Sequence, residues 1–152
     1  ALHKDFADIK TRHTARALAT ERFDEVYTRF SKSLVGVGGG QGVDRRLGLE
    51  TELVALENPY TDTTTDGVDV QLFYQEAIRA DTQIEFFEKA PDGTVRVSLH
   101  RTDAQGRATL PVKPGHTYMA DAVVLREPDL RHAKRDAAWE TLWANLTFQI
   151  PE

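Results

Sequence analysis

Leu142-Trp143-Ala144-Asn145-Leu146-Thr147-Phe148-Gln149-Ile150 decides the fold class. Leu142, Ala144, Leu146, Phe148 and Ile150 alternate with Trp143, Asn145, Thr147 and Gln149. A period of two puts one set on each face of a strand, and no helix produces it. Working back along the chain, the alternation returns in Val95, Val97 and Leu99 against Arg96, Ser98 and His100, and in Val68, Val70 and Leu72 against Asp69 and Gln71. Strands are expected at 49–57, 68–75, 82–89, 94–101, 107–112, 116–126 and 141–150. Turn chemistry separates them: Asn58-Pro59, Pro91-Asp92-Gly93, Asp103-Ala104-Gln105-Gly106 and Lys113-Pro114-Gly115. Seven short strands over roughly 100 residues describe an immunoglobulin-like or transthyretin-like β-sandwich, mainly β, with one wet and one buried face per sheet. Leu72, Phe86, Val97, Leu110, Tyr118, Ala122, Leu146 and Phe148 are the expected core.

The first third reads differently. Phe23, Val26, Tyr27, Phe30 and Leu34 recur at spacings of three and four, which predicts one N-terminal α-helix over about 13–34. Glu21, Arg22, Asp24, Glu25, Arg29 and Lys32 fall on its polar side. Its aromatic rings need apolar surface, or another domain or chain, to cover them. Five glycines in 36–42 (Gly-Val-Gly-Gly-Gly-Gln-Gly) then read as a connector. A phosphate loop is excluded, because no strand precedes the glycines and no Gly-Lys-Ser/Thr follows them. The division expected is a helical connector with a glycine-rich linker over 1–48, then the β-sandwich domain over 49–152.

Composition bounds the function. The 152 residues carry 19 Lys+Arg against 24 Asp+Glu, a net charge of −5, which argues against nucleic acid as partner. Cysteine is absent, which removes disulfides, thiolate metal sites and a cysteine nucleophile. No run approaches 18 apolar residues, so no membrane-spanning helix is expected. The serines Ser31, Ser33 and Ser98 lie in no Gly-x-Ser-x-Gly elbow, and Glu50 and Glu52 read as water-facing strand carboxylates, so no enzyme is expected. Five histidines remain: His3, His13, His100, His116 and His132. His100 and His116 would meet if their strands approach at one end of the sandwich. With a carboxylate they would suit a transition metal such as nickel, cobalt or copper. The charged insertion at 126–138 holds Glu127, Asp129, His132 and Asp136, and makes His132 a third candidate. Trp139 and Trp143 are candidates for a ligand or partner surface, as stacking platforms for a sugar, or else for packing.

Several blocks carry a resemblance when read together. They are Tyr-Thr-Arg-Phe-Ser-Lys-Ser-Leu-Val-Gly-Val-Gly (27–38), Gly-Leu-Glu-Thr-Glu-Leu-Val-Ala-Leu-Glu-Asn-Pro-Tyr (48–60), Arg-Thr-Asp-Ala-Gln-Gly-Arg-Ala (101–108), Pro-Gly-His-Thr-Tyr-Met-Ala-Asp-Ala-Val-Val (114–124) and Trp-Glu-Thr-Leu-Trp-Ala-Asn-Leu-Thr-Phe (139–148). Over about residues 20–152 the chain resembles the C-terminal portion of a bacterial periplasmic family of unknown function once described as the substrate-specific component of nickel uptake (NikM-like). The resemblance implies periplasmic location after removal of a signal peptide, association with nickel or cobalt uptake, and a preceding N-terminal β domain that starts with a histidine. That domain, or another protein chain, is the implied partner. The expected function is a non-enzymatic binding or partner-docking module. The alternatives are a structural or adhesion-type module without a small ligand, and a carbohydrate-binding module.

Overall fold

The structure, a computed structural model, describes residues 6–129 and 137–152. Among them it places one helix, α1 (Phe6–Ala15), and nine strands: β1 (Glu25–Ser33), β2 (Thr51–Ala55), β3 (Val68–Tyr74), β4 (Ala77–Ile78), β5 (Gln83–Lys89), β6 (Val95–Arg101), β7 (Arg107–Leu110), β8 (Thr117–Arg126) and β9 (Trp139–Gln149). One sheet has the order β1-β9-β8-β5-β6. In the other, β3 pairs with β2 along one edge and with β4 and β7 in tandem along the other. The fold is mainly β, two sheets in a sandwich-like arrangement with a short N-terminal helix. All seven strands expected from the alternation are present, as β2, β3 and β5 to β9.

Two compact units divide the chain: 30–122 with 144–152, and 1–29 with 123–143. The first holds the core. Leu53, Val68, Val70, Leu72, Ile84, Phe86, Leu110, Tyr118, Leu146 and Phe148 are all buried there. Phe86 stacks on Tyr118 at 5.0 Å between ring centroids, and Tyr118 on Phe148 at 5.6 Å. Each such side chain contributes about 1.5–3 kcal/mol of burial, so the cluster dominates this unit's stability.

Two expectations are corrected. The helix predicted over 13–34 is instead α1, ending at Ala15, and Glu25–Ser33 is a strand. Val26, Thr28, Phe30 and Lys32 are the more buried positions of β1, and the odd-numbered residues between them are exposed. The segment's apolar spacing fits both periods, and its Val, Tyr, Thr and Phe content favours a strand. Phe23 and Tyr27 are exposed in consequence.

The second correction is Val97, which is 54% exposed. In the antiparallel register Phe86 lies opposite Ser98, and Phe87 opposite Val97. Phe86 points into the core, so Val95, Val97 and Leu99 point out. Alternation says which residues share a face but not which face is inside.

Candidate functional site

The most distinctive surface of the first unit follows from that register. β6 ends the five-stranded sheet, so one side of its backbone has no strand partner among the described residues. Val95, Val97 and Leu99 are 57%, 54% and 62% exposed. Val97 lies opposite Phe87, and Phe87 opposite Met119 on β8. An apolar row therefore crosses three strands on the outer face and runs to an open edge. Natural edges are normally blunted by charged side chains, proline, bulges or shortness, and of these β6 has only the charges of Arg96 and Arg101. β6 is seven residues long and contains no proline.

A second feature is buried beneath β1. Lys32 sends its ammonium inward from the strand, and its side chain is 6% exposed. Nζ lies 2.8 Å from Asp44 Oδ1 and 2.9 Å from Asp44 Oδ2, and 3.0 Å from Glu52 Oε1. It also donates to the carbonyls of Arg45 and Leu53, each at 3.1 Å. Glu52, with a fully buried side chain, accepts the backbone N–H groups of Leu47, Gly48 and Leu49. Asp44 accepts those of Arg45 (2.8 Å) and Ala55 (2.9 Å). Glu52 is thus not a water-facing strand carboxylate, and Lys32 is not on a polar surface. The loop 44–49 folds over β2 and turns that face inward. Neither position is marked by spacing, because the partners come from a loop with no periodic pattern.

The Asn-Pro-Tyr block clamps the glycine segment. Tyr60 donates its hydroxyl to the Leu34 carbonyl at 2.6 Å. Asn58 Nδ2 donates to the carbonyls of Gly40 (2.7 Å) and Gly42 (3.0 Å), while Asn58 Oδ1 accepts from Tyr60 N–H (2.9 Å). A Cβ on Gly36 would lie 2.9 Å from the Tyr60 ring, so only glycine fits the approach. A cleft of about 450 Å³ opens beside the segment, lined by Val35, Val43, Leu47 and Tyr60 among others.

His100 and His116 do not converge. His100 lies opposite Ile84, and Thr117, next to His116, lies opposite Lys89. Five residues along β5 separate them by about 17 Å at 3.4 Å per residue. His100 rests edge-on against Phe86 at 5.7 Å, and its Nε2 is 2.9 Å from Ser98 Oγ. Burial holds its pKa below the ordinary value. Among the described residues no carboxylate hydrogen-bonds its ring, so this serine–histidine contact lacks the acid that orients a catalytic base. His116 Nδ1 lies 2.8 Å from Glu88 Oε1, which Lys113 Nζ also reaches at 2.8 Å. The Lys113 hydrogen bond, above all, holds the Glu88 carboxyl below its usual range. His132 lies outside the described residues. Among the described residues no three His, Asp or Glu side chains are grouped to hold a metal.

In the second unit, Trp139 is 3% exposed, which leaves no open ring face for a sugar. Its indole N–H donates to His13 Nδ1 at 3.0 Å, and His13 Nε2 is 2.8 Å from the Ala19 carbonyl, which it meets as donor. Arg16 lies over the Trp139 ring at 5.0 Å, and both Arg12 and Arg16 approach Glu127. Trp143 is half-buried, with Arg29 over its ring at 5.6 Å. Arg126 Nε and Glu140 Oε2 form a buried pair at 2.8 Å.

Among sequence families, the domain of unknown function DUF4198 matches residues 2–126. No curated protein and no solved structure matches the chain.

Proposed function

The chain belongs to the DUF4198 family of unknown function, and from its fold we propose that it is a non-enzymatic docking module. It takes an extended segment of another protein chain along β6. The exposed line Val95, Val97 and Leu99 on an open sheet edge carries this reading. An added strand gains backbone hydrogen bonds from the edge and apolar contacts on the outer face. β6 carries no carboxylate, its Arg101 is already paired with Asp81, and its Arg96 lies on the face away from the apolar row, so the matching segment is apolar on its outer face with an acidic residue opposite Arg96. Export to the periplasm and a part in nickel or cobalt uptake belong to the same reading, and rest on the sequence resemblance alone. No helix among the described residues is long and apolar enough to cross a membrane.

The test is site-specific photocrosslinking in the cells that make the protein. A photoreactive residue replaces Val97 in one variant and the exposed Glu76 in another. A discrete adduct from position 97 and none from position 76 supports docking at β6. No adduct at 97, or the same adducts at both positions, overturns it.

A further inference from the structure

The buried cluster of Lys32, Asp44 and Glu52 has the composition and geometry of a self-condensing site. We infer that Lys32 and Asp44 join in an intramolecular isopeptide bond, with Glu52 as the proton relay. The site lies wholly within the unit 30–122 with 144–152, and the inference is independent of docking at β6.

Four observations point the same way. The first is approach: Nζ stands 2.8 and 2.9 Å from the two oxygens of Asp44. The carbon between those oxygens is therefore about 3 Å from the nitrogen, the separation of a near-attack arrangement. The second is water exclusion, with side-chain exposures of 6%, 6% and 0% for Lys32, Asp44 and Glu52. Burial removes the bulk water that would favour hydrolysis, and it makes a permanent ion pair costly to hold. The third is the pair of backbone donors on Asp44, Arg45 N–H on Oδ1 and Ala55 N–H on Oδ2. They are aimed at the oxygens on which charge develops when an amine adds to the carbon. The fourth is Glu52 itself. Its Oε1 is 3.0 Å from Nζ, within reach of the protons that must leave. Three backbone N–H groups hold it in place independently of Lys32.

The step balances without a co-reactant. By way of Glu52, the Lys32 ammonium passes a proton to Asp44, and the free amine adds to Cγ of the resulting carboxylic acid. The Nζ–Cγ bond forms and one Cγ–O bond breaks. The departing oxygen takes, through Glu52, the two protons that the ammonium loses, and leaves as water. One ammonium and one carboxylate become one amide and one water, and Glu52 ends as it began. The amide nitrogen keeps one hydrogen. The product ties β1 to the loop twelve residues on. It closes the glycine segment into a covalent ring against Asn58 and Tyr60.

The experiment is intact mass spectrometry of the folded wild-type chain after denaturation, followed by peptide mapping. The expected mass is one water below that of the sequence, with a branched peptide joining the segments that carry Lys32 and Asp44 and no tryptic cleavage after Lys32. K32R and D44A return to the full sequence mass, and E52Q accumulates the unlinked form. A folded wild-type chain at full mass overturns the inference and leaves a buried ion pair. Water loss that hydroxylamine converts to a hydroxamate, or that comes without the branched peptide, also overturns it. It would report a succinimide at Asp66-Gly67 or Asp92-Gly93 instead.

Discussion

Asn58→Ala should be among the most damaging single changes outside the apolar core. The side chain is 8% exposed and makes three hydrogen bonds: two given to the carbonyls of Gly40 and Gly42, one taken from Tyr60 N–H. A net hydrogen bond is worth about 0.5–1.5 kcal/mol, so three sum to about 3 kcal/mol if none is replaced by water. Gly42 is exposed and its carbonyl finds water readily. The expected loss is therefore about 2–3 kcal/mol. At a urea dependence of about 2 kcal/mol per molar, the midpoint falls by about 1 M. Asn58→Asp separates the contributions. It keeps the acceptor for Tyr60 N–H but turns an oxygen toward two carbonyl oxygens, so it should cost at least as much. Equilibrium urea unfolding followed by far-ultraviolet circular dichroism reads both variants. A loss under about 0.5 kcal/mol for Asn58→Ala, the size of an ordinary surface change, would refute the clamp.

Four further outcomes follow from the same geometry. Phe86→Ala, which removes a ring stacked on Tyr118, should cost about 3–5 kcal/mol in the same assay. Val97→Lys should stay within about 0.5 kcal/mol of wild type because the side chain faces solvent, whereas Val70→Lys, at a fully buried position, should prevent folding. Glu88 titrates below the ordinary carboxylate value in the folded chain because Lys113 hydrogen-bonds it. Its contribution to stability is therefore full above the unfolded carboxylate pKa and is lost as pH falls through the lower folded value. Lys113→Met should raise the Glu88 pKa measured by NMR and shrink that acid-side loss; an unmoved pKa would contradict the pairing. Calorimetric titration with nickel and with copper should give no stoichiometric sub-micromolar complex that His100→Ala or His116→Ala abolishes, since the register holds those two rings apart.

Strands such as β3 and β8 were legible because each pairs one buried face with a wetter one, and that difference writes itself into alternate residues. β3, with Val68, Val70 and Leu72 buried between half-buried Asp69 and Gln71, shows it plainly. β1 was not legible as a strand, since Phe23, Tyr27, Phe30 and Leu34 also satisfy a helical spacing and only pairing in a sheet distinguishes the two periods. Val97 shows the complementary limit: β6 alternates as well as any strand, but its apolar set faces outward. The buried Lys32, Asp44 and Glu52 were out of reach for another reason. Charged residues read as surface unless a partner is known, and the partners here are a strand end, a loop and the next strand. The Asn-Pro-Tyr block stood out in the sequence, yet its job of holding Gly40 and Gly42 emerges only from the hydrogen bonds.

β6 is an open edge with its apolar side turned to solvent. Residue-resolved amide hydrogen exchange of the free chain tests this directly. In an antiparallel edge strand, alternate amides bond to the neighbour and the rest point away from the sheet. Amides along Val95–Arg101 should alternate between slow and fast exchange, while both sets in β5, which has β6 on one side and β8 on the other, should be slow. Uniformly slow exchange along β6 would mean that the edge is already covered, and would contradict docking there.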